Sequence, residues 1–193
     1  VEGKGDFVIA ANVTVDCSSF PGCELAINVT GNFTLGENAS IICGTFQLVA
    51  DNAFFGNGST VNTTALAGAP PAQTSGTPQG VDGAGGGHGG RGAACLKDAS
   101  KNPEDVWGGD AYAWSSLAKP WSYGSKGGTT SKEIDYGGGG GGRVLFLVTA
   151  LLDVNGSVLA SGGDAGPKGG GGSGGSIYIK AHKIIRSVAA NPH

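Results

Sequence analysis

Residues 27–35 read Ile27-Asn28-Val29-Thr30-Gly31-Asn32-Phe33-Thr34-Leu35. In an extended chain, successive side chains point to opposite faces. Ile27, Val29, Phe33 and Leu35 then share one face, and Asn28, Thr30, Asn32 and Thr34 share the other. This period of two predicts a half-buried strand with both asparagines turned to solvent.

Asn12-Val13-Thr14-Val15 repeats the arrangement sixteen residues earlier. Ser40–Cys43, Thr45–Val49 and Thr60–Asn62 read as further short strands, with turns at Gly36-Glu37-Asn38 and Gly56-Asn57-Gly58. Phe55–Val61 is echoed by Asp153–Leu159, each following an apolar strand. Short strands at quasi-regular spacing, joined by Gly/Asn turns, predict β-coils stacked along an axis. The expected fold is all-β: a right-handed parallel β-helix, or solenoid, with ordered glycine-rich loops. A β-sandwich is the alternative, disfavoured because the two-residue hairpin signature is missing.

The glycines divide the chain. Eight of the 39 fall in residues 1–66 and the other 31 in 67–175. Runs at Gly83–Gly92, Gly137–Gly142 and Gly169–Gly175 are expected to pack as tight layers, because glycine permits close backbone approach. Two of these runs lead straight into apolar strands, at Arg143–Val148 and Ser176–Lys180. The expected organisation is a single solenoid module over 1–193: sequon-rich strands in 1–66, a glycine- and aromatic-rich loop region in 67–142, and returning strands in 143–185. The missing methionine predicts a processed or trimmed start, and the end, Ala190-Asn191-Pro192-His193, which shows no anchor signal, predicts a fragment of a longer chain.

Seven of the ten asparagines lie in Asn-x-Ser/Thr: Asn12, Asn28, Asn32, Asn38, Asn57, Asn62 and Asn155. Serine and threonine make up 28 of 193 residues, so chance would supply about one or two such triplets. The density predicts N-glycans on an extracellular, cell-surface protein. Four cysteines, Cys17, Cys23, Cys43 and Cys95, allow three pairings. Cys17 with Cys23 is preferred because Pro21-Gly22 supplies a turn, leaving Cys43 with Cys95. Disulfides suit the same compartment, and the Cys-x5-Cys spacing lacks the closeness zinc prefers.

The net charge of −3, without a basic block, gives no footing for nucleic acid. No apolar run approaches the ~20 residues of a membrane span. The glycines around His88 lack the strand-to-helix setting of a phosphate-binding loop, and Gly172-Ser173-Gly174 lacks that of a nucleophile elbow. Gly108-Gly109-Asp110 and Gly162-Gly163-Asp164 are isolated fragments of a calcium-binding repeat. His88, His182 and His193 each stand alone. No cofactor, metal or catalytic residue is expected. The aromatic segment is richer: Trp107, Trp114 and Trp121 fall within fifteen residues, beside Asp105 and Asp110. Aromatics near carboxylates can grip and cleave sugars, but large side chains also anchor a long loop, which is the preferred reading.

Several stretches resemble one plant lineage of very large glycine-rich cell-surface proteins: 62–68, 73–80, 83–92, 103–112, 119–128, 133–136 and 169–180. The likeness covers nearly the whole chain. It implies a secreted or membrane-anchored protein of which this is an N-proximal part, with no enzymatic residues to carry over. Where the lineage has a cysteine pair, this chain has only Cys95, and the likeness stops after Ile184.

The expected function is a noncatalytic, N-glycosylated structural or adhesive module. It would bind cell-wall polysaccharide through Trp107, Trp114 and Trp121, or stack end to end with copies of itself into a glycan-coated filament. The alternative is a polysaccharide-active, pectin-lyase-like β-helix enzyme using Asp105, Asp110 or Asp135.

Overall fold

The computed structural model describes residues 1–70, 75–76, 83–94, 108–112 and 118–186. Among them are twelve strands and no helix: β1 (Glu2–Gly3), β2 (Phe7–Ile9), β3 (Thr14–Asp16), β4 (Glu24–Val29), β5 (Asn32–Leu35), β6 (Ser40–Ile42), β7 (Thr45–Ala50), β8 (Asn52–Phe55), β9 (Thr60–Asn62), β10 (Arg143–Val154), β11 (Ser157–Leu159) and β12 (Ser176–Ile185). Every paired strand is parallel to its neighbour. The fold is therefore the parallel β-helix and not the sandwich.

Three faces repeat along the axis. One stacks β1, β4, β7, the first half of β10, and β12. The second stacks β2, β5, β8 and the end of β10, where Leu152 also meets Ile184 of β12. The third stacks β3, β6, β9 and β11. Strand β10 serves two faces because it bends at the register shift between Val148 and Leu151.

Phe7 lies opposite Phe33, and Phe33 opposite Ala53, so successive coils advance by 26 and then 20 residues. The sixteen-residue echo is thus not the repeat: Thr14 pairs with Ser40, not with Thr30. A near-20-residue coil is disguised because nearly all extra chain leaves at one corner, between the third face and the first. There the connections are 17–23, 43–44, 63–142 and 160–175. The long excursion closes on itself, with Gly142 N–H donating to Thr63 O at 2.7 Å.

The alternation at 27–35 is borne out: Ile27, Val29, Phe33 and Leu35 are all buried. Inward residues of successive coils form columns, which suits a fold whose every coil must cover its neighbour. Phe33, Phe46, Phe55 and Phe146 are fully buried and form one cluster of tilted, edge-on and stacked rings, with centroids 5.2–6.3 Å apart. Contacts of this geometry add to the burial of the rings themselves.

Candidate functional site

At the corner between the second and third faces, three coils make the same four-residue turn: 10–13, 36–39 and 56–59. Each is closed by an N–H bond three residues back, from Val13 to Ala10, Ala39 to Gly36 and Ser59 to Gly56. The third turn residue is left-handed each time: Asn12 (φ 61°), Asn38 (φ 53°) and Gly58 (φ 69°). Asparagine is one of the few residues with a side chain that tolerates this conformation. The sequons at Asn12 and Asn38 therefore repeat because the turn repeats, and seven sequons are not seven independent draws. Asn57 sits one place earlier in its own turn. Asn155 lies at the same corner one coil on, where only two residues join Val154 to Ser157.

Asn12, Asn28, Asn38 and Asn57 are exposed, whereas Asn32, Asn62 and Asn155 are half-buried. The half-buried three have structural work. Asn32 Oδ1 accepts from Asn52 Nδ2 at 3.0 Å, and Asn62 Oδ1 from Thr64 N–H at 2.9 Å. Asn155 Nδ2 donates to Asp153 Oδ1 at 3.1 Å. The expectation that Asn28 and Asn32 both face open solvent thus holds for Asn28 alone.

Cys17 and Cys23 form a disulfide with Cα atoms 6.1 Å apart, closing the loop 17–23. Cys43 is instead a buried free thiol. The expected Cys43–Cys95 bridge is not made: Cys43 points into the core beside Ile41, and Cys95 lies outside the described residues. Burial pushes the Cys43 thiol up to about 12.

The glycine-rich segments form a sheath beside the β-helix, and its hydrogen bonds change partner with a period of three. Gly138 and Gly141 donate to Gly170 and Ser173, Gly139 accepts from Gly163, and Gly140 accepts from Ala67. Three residues per turn is the geometry of the polyproline II helix, whose backbone groups all point outward. Here neighbouring segments satisfy them. A Cβ on Gly127 would stand 1.7 Å from Gly170 O, and one on Gly172 2.0 Å from Gly139 O. The expectation of tight, side-chain-free layers is met, and close approach is the reason for glycine: the described positive-φ glycines, Gly5, Gly22 and Gly58, lie elsewhere.

Arg143, Trp121 and Tyr123 anchor the sheath. The guanidinium carbon of Arg143 lies 4.4 Å from the Trp121 ring centroid and 4.2 Å from that of Tyr123. Arg143 also donates to Thr45 Oγ1 at 3.2 Å and to Trp121 O at 3.3 Å. Tyr123 shares a 2.6 Å hydrogen bond with Thr45. Trp121 thus holds a loop, as the simpler reading of the aromatic segment expects. Trp107, Trp114 and Asp105 lie outside the described residues.

Asp110 pairs with Arg91 at 3.4 Å, and Asp135 with Lys126. The Lys126 hydrogen bond, with a second from Gly137 N–H, holds the Asp135 carboxyl below the usual carboxylate range. His88 packs 5.0 Å from Tyr112, and partial burial lowers its pKa against an opposing backbone hydrogen bond at Gly174. Among the described residues, no group of three or more His, Cys, Asp or Glu side chains is placed to hold a metal ion. A groove of about 430 Å³ runs between Pro21, Ala65 and Pro70 and the sheath glycines Gly124, Gly137 and Gly140, with Lys126 the one charged side chain among its described lining residues. Sequence reasoning grouped Tyr123 with the loop-anchoring aromatics but missed Arg143 as the residue they stack on; the only signal was its basic character beside a glycine run. No described helix is long and apolar enough to cross a membrane. Comparison with protein families, with curated proteins and with solved structures finds no match.

Proposed function

We propose that this chain is a noncatalytic, extracellular, N-glycosylated module with a structural or adhesive role. The observation that carries the reading is the exposure of Asn12, Asn38 and Asn57 at one corner of three consecutive coils, with Asn28 exposed separately on the first face. Glycan on that corner would coat one flank of a rod. The Cys17–Cys23 disulfide suits the same oxidising compartment. The resemblance to plant glycine-rich surface proteins supports it independently, and makes cell-wall polysaccharide the natural external partner.

The polysaccharide-cleaving alternative has less to stand on. Asp110 and Asp135 are each paired with a cation, and Trp121 is stacked on Arg143. The test is secretion from a plant cell line followed by glycopeptide mapping. Glycan at Asn12, Asn28, Asn38 or Asn57 is expected, with little at Asn32 or Asn155. A secreted chain that keeps the bare mass of 18.9 kDa would refute the reading.

A further inference from the structure

Three cysteines meet at one corner of two neighbouring coils. Strands β3 and β6 pair through Thr14 with Ser40, Val15 with Ile41 and Asp16 with Ile42, and Cys17 N–H donates to Ile42 O at 3.0 Å. The register therefore runs one step further, to Cys17 beside Cys43. Both follow the inward parity, Cys17 after Val15 and Cys43 after Ile41, and Cys17 packs against the buried cluster that contains Cys43. Neighbouring strands lie about 4.8 Å apart, within the Cα range of about 4.4–6.8 Å that a disulfide bridges. Cys23 holds the corner from the other side: its carbonyl accepts Gly44 N–H and Thr45 N–H, each at 2.9 Å.

A free thiol thus stands one rung from the Cys17–Cys23 disulfide, in the column of one of its two sulfurs. Burial hides Cys43 from reagents in solution. It does not hide Cys43 from a neighbour in its own column. Thiol–disulfide exchange asks only that a thiolate reach one disulfide sulfur, and the other sulfur then leaves as the thiol. Cys17 is the in-register target, so Cys23 is the leaving group. Cys23 is half-buried, and the loop it closes carries Phe20, 73% exposed, and Pro21, which lines the groove against the sheath. Exchange at Cys17 moves the free thiol from the core to that surface.

We propose that this corner is a thiol–disulfide exchange site, in which Cys43 takes Cys17 from Cys23 and leaves Cys23 as a surface thiol that accepts S-thiolation from small disulfides. In the first step the Cys43–Cys17 bond forms, the Cys17–Cys23 bond breaks, and the proton of Cys43 passes to Cys23. The disulfide count is unchanged, so the step consumes no oxidant. In the second, Cys23 attacks a low-molecular-weight disulfide, RSSR. The Cys23–SR bond forms, the RS–SR bond breaks, and one RSH leaves with the Cys23 proton. The product staples the first coil directly to the second and unties the loop 17–23, whose Gly22 packs closely on Gly68 at the start of the long excursion. The inference uses the fold alone and stands apart from the glycan reading.

The experiment uses the full 193-residue chain made without glycan and carrying Cys95→Ser, so that the three cysteines of the corner are the only ones to map. The folded protein is incubated with excess cystamine at pH 8, quenched in acid, and its linkages are located by peptide mass mapping. Cysteamine is expected on Cys23, with Cys17 joined to Cys43. A second chain carrying Cys43→Ala and Ile41→Cys moves the buried thiol two residues along, opposite Val15 and out of register with Cys17. Compared below the melting range of both, it should take up cysteamine at least about tenfold more slowly, because the orientation that favours exchange is gone. Cysteamine on Cys43 with Cys17–Cys23 intact, equal rates in the two chains, or no adduct at all would overturn the inference.

Discussion

The guanidinium of Arg143 lies over the ring of Tyr123, its central carbon 4.2 Å from the ring centroid. Arg143 is the first residue of the returning strand and Tyr123 belongs to the sheath, so this stack clamps the polyglycine layer to the β-helix. Replacing Arg143 by alanine removes two aromatic contacts and two hydrogen bonds, at an expected cost of about 2–3 kcal/mol. Lysine should rescue little, having neither the planar group nor the fork. Urea unfolding followed by tryptophan fluorescence checks both, since Trp121 reports on the clamp directly.

Two adjacent sheath glycines should respond in opposite ways to alanine. A Cβ on Gly170 would stand 2.1 Å from Ala84 O, whereas one on Gly171 meets nothing within 4 Å. Gly170→Ala should destabilise by about 1–3 kcal/mol through overpacking against backbone that cannot yield. Gly171→Ala should stay within about 0.5 kcal/mol. Thermal melts of the pair decide it, and equal effects would show that the layer is not close-packed.

Asn38 carries two demands that substitution can separate. Its φ of 53° asks for glycine or asparagine, and its place before Ala39-Ser40 makes it a glycan acceptor. Asn38→Ala should cost about 1–2 kcal/mol in unglycosylated protein, while Asn38→Gly should be near neutral. Ser40→Ala should abolish glycan at Asn38 and leave the turn intact. Chemical unfolding of bacterial material and glycopeptide analysis of secreted material read the two effects apart.

The Cys43 thiol should be silent in the folded protein. With its pKa raised by burial from 9.0 to about 12, it stays protonated while an unfolded thiol ionises. The stability it contributes is fully present below pH 9 and is lost as pH rises towards 12. Alkylation of Cys43 by iodoacetamide at pH 8 should therefore follow global unfolding, and the decline in stability above pH 9 should be shallower in Cys43→Ala. Rapid labelling at Cys43 itself, located by peptide mapping of the native protein, would contradict the buried position.

The strand faces were legible because burial alternates along each short strand, as Ile27, Val29, Phe33 and Leu35 show. The same parity places Cys43 on the inward side with Ile41, a signal stronger than pairing the cysteines left over. The repeat length was hidden because one corner absorbs nearly all the added residues. The sequon corner was legible as composition but not as position: it takes the stacked turns to see that Asn12 and Asn38 answer a backbone requirement. The sheath's order was least legible. Its partners lie far apart in sequence, as Gly127 and Gly170 do, and a backbone without side chains leaves no pattern of faces to read.

The hydrogen bond from Gly142 to Thr63 fixes both ends of the long excursion on neighbouring rungs of a finished scaffold. The entropy of bringing those ends together is met by the coils, so chain added within the excursion outside its packed sheath segments costs little, a doubling of a flexible loop costing only about 0.6 kcal/mol. That corner is thus an insertion port. New sequence can enter there, in evolution or by engineering, without shifting the register of any strand, and a foreign domain grafted into the excursion outside its sheath segments would be displayed on one side of the rod at a fixed rung.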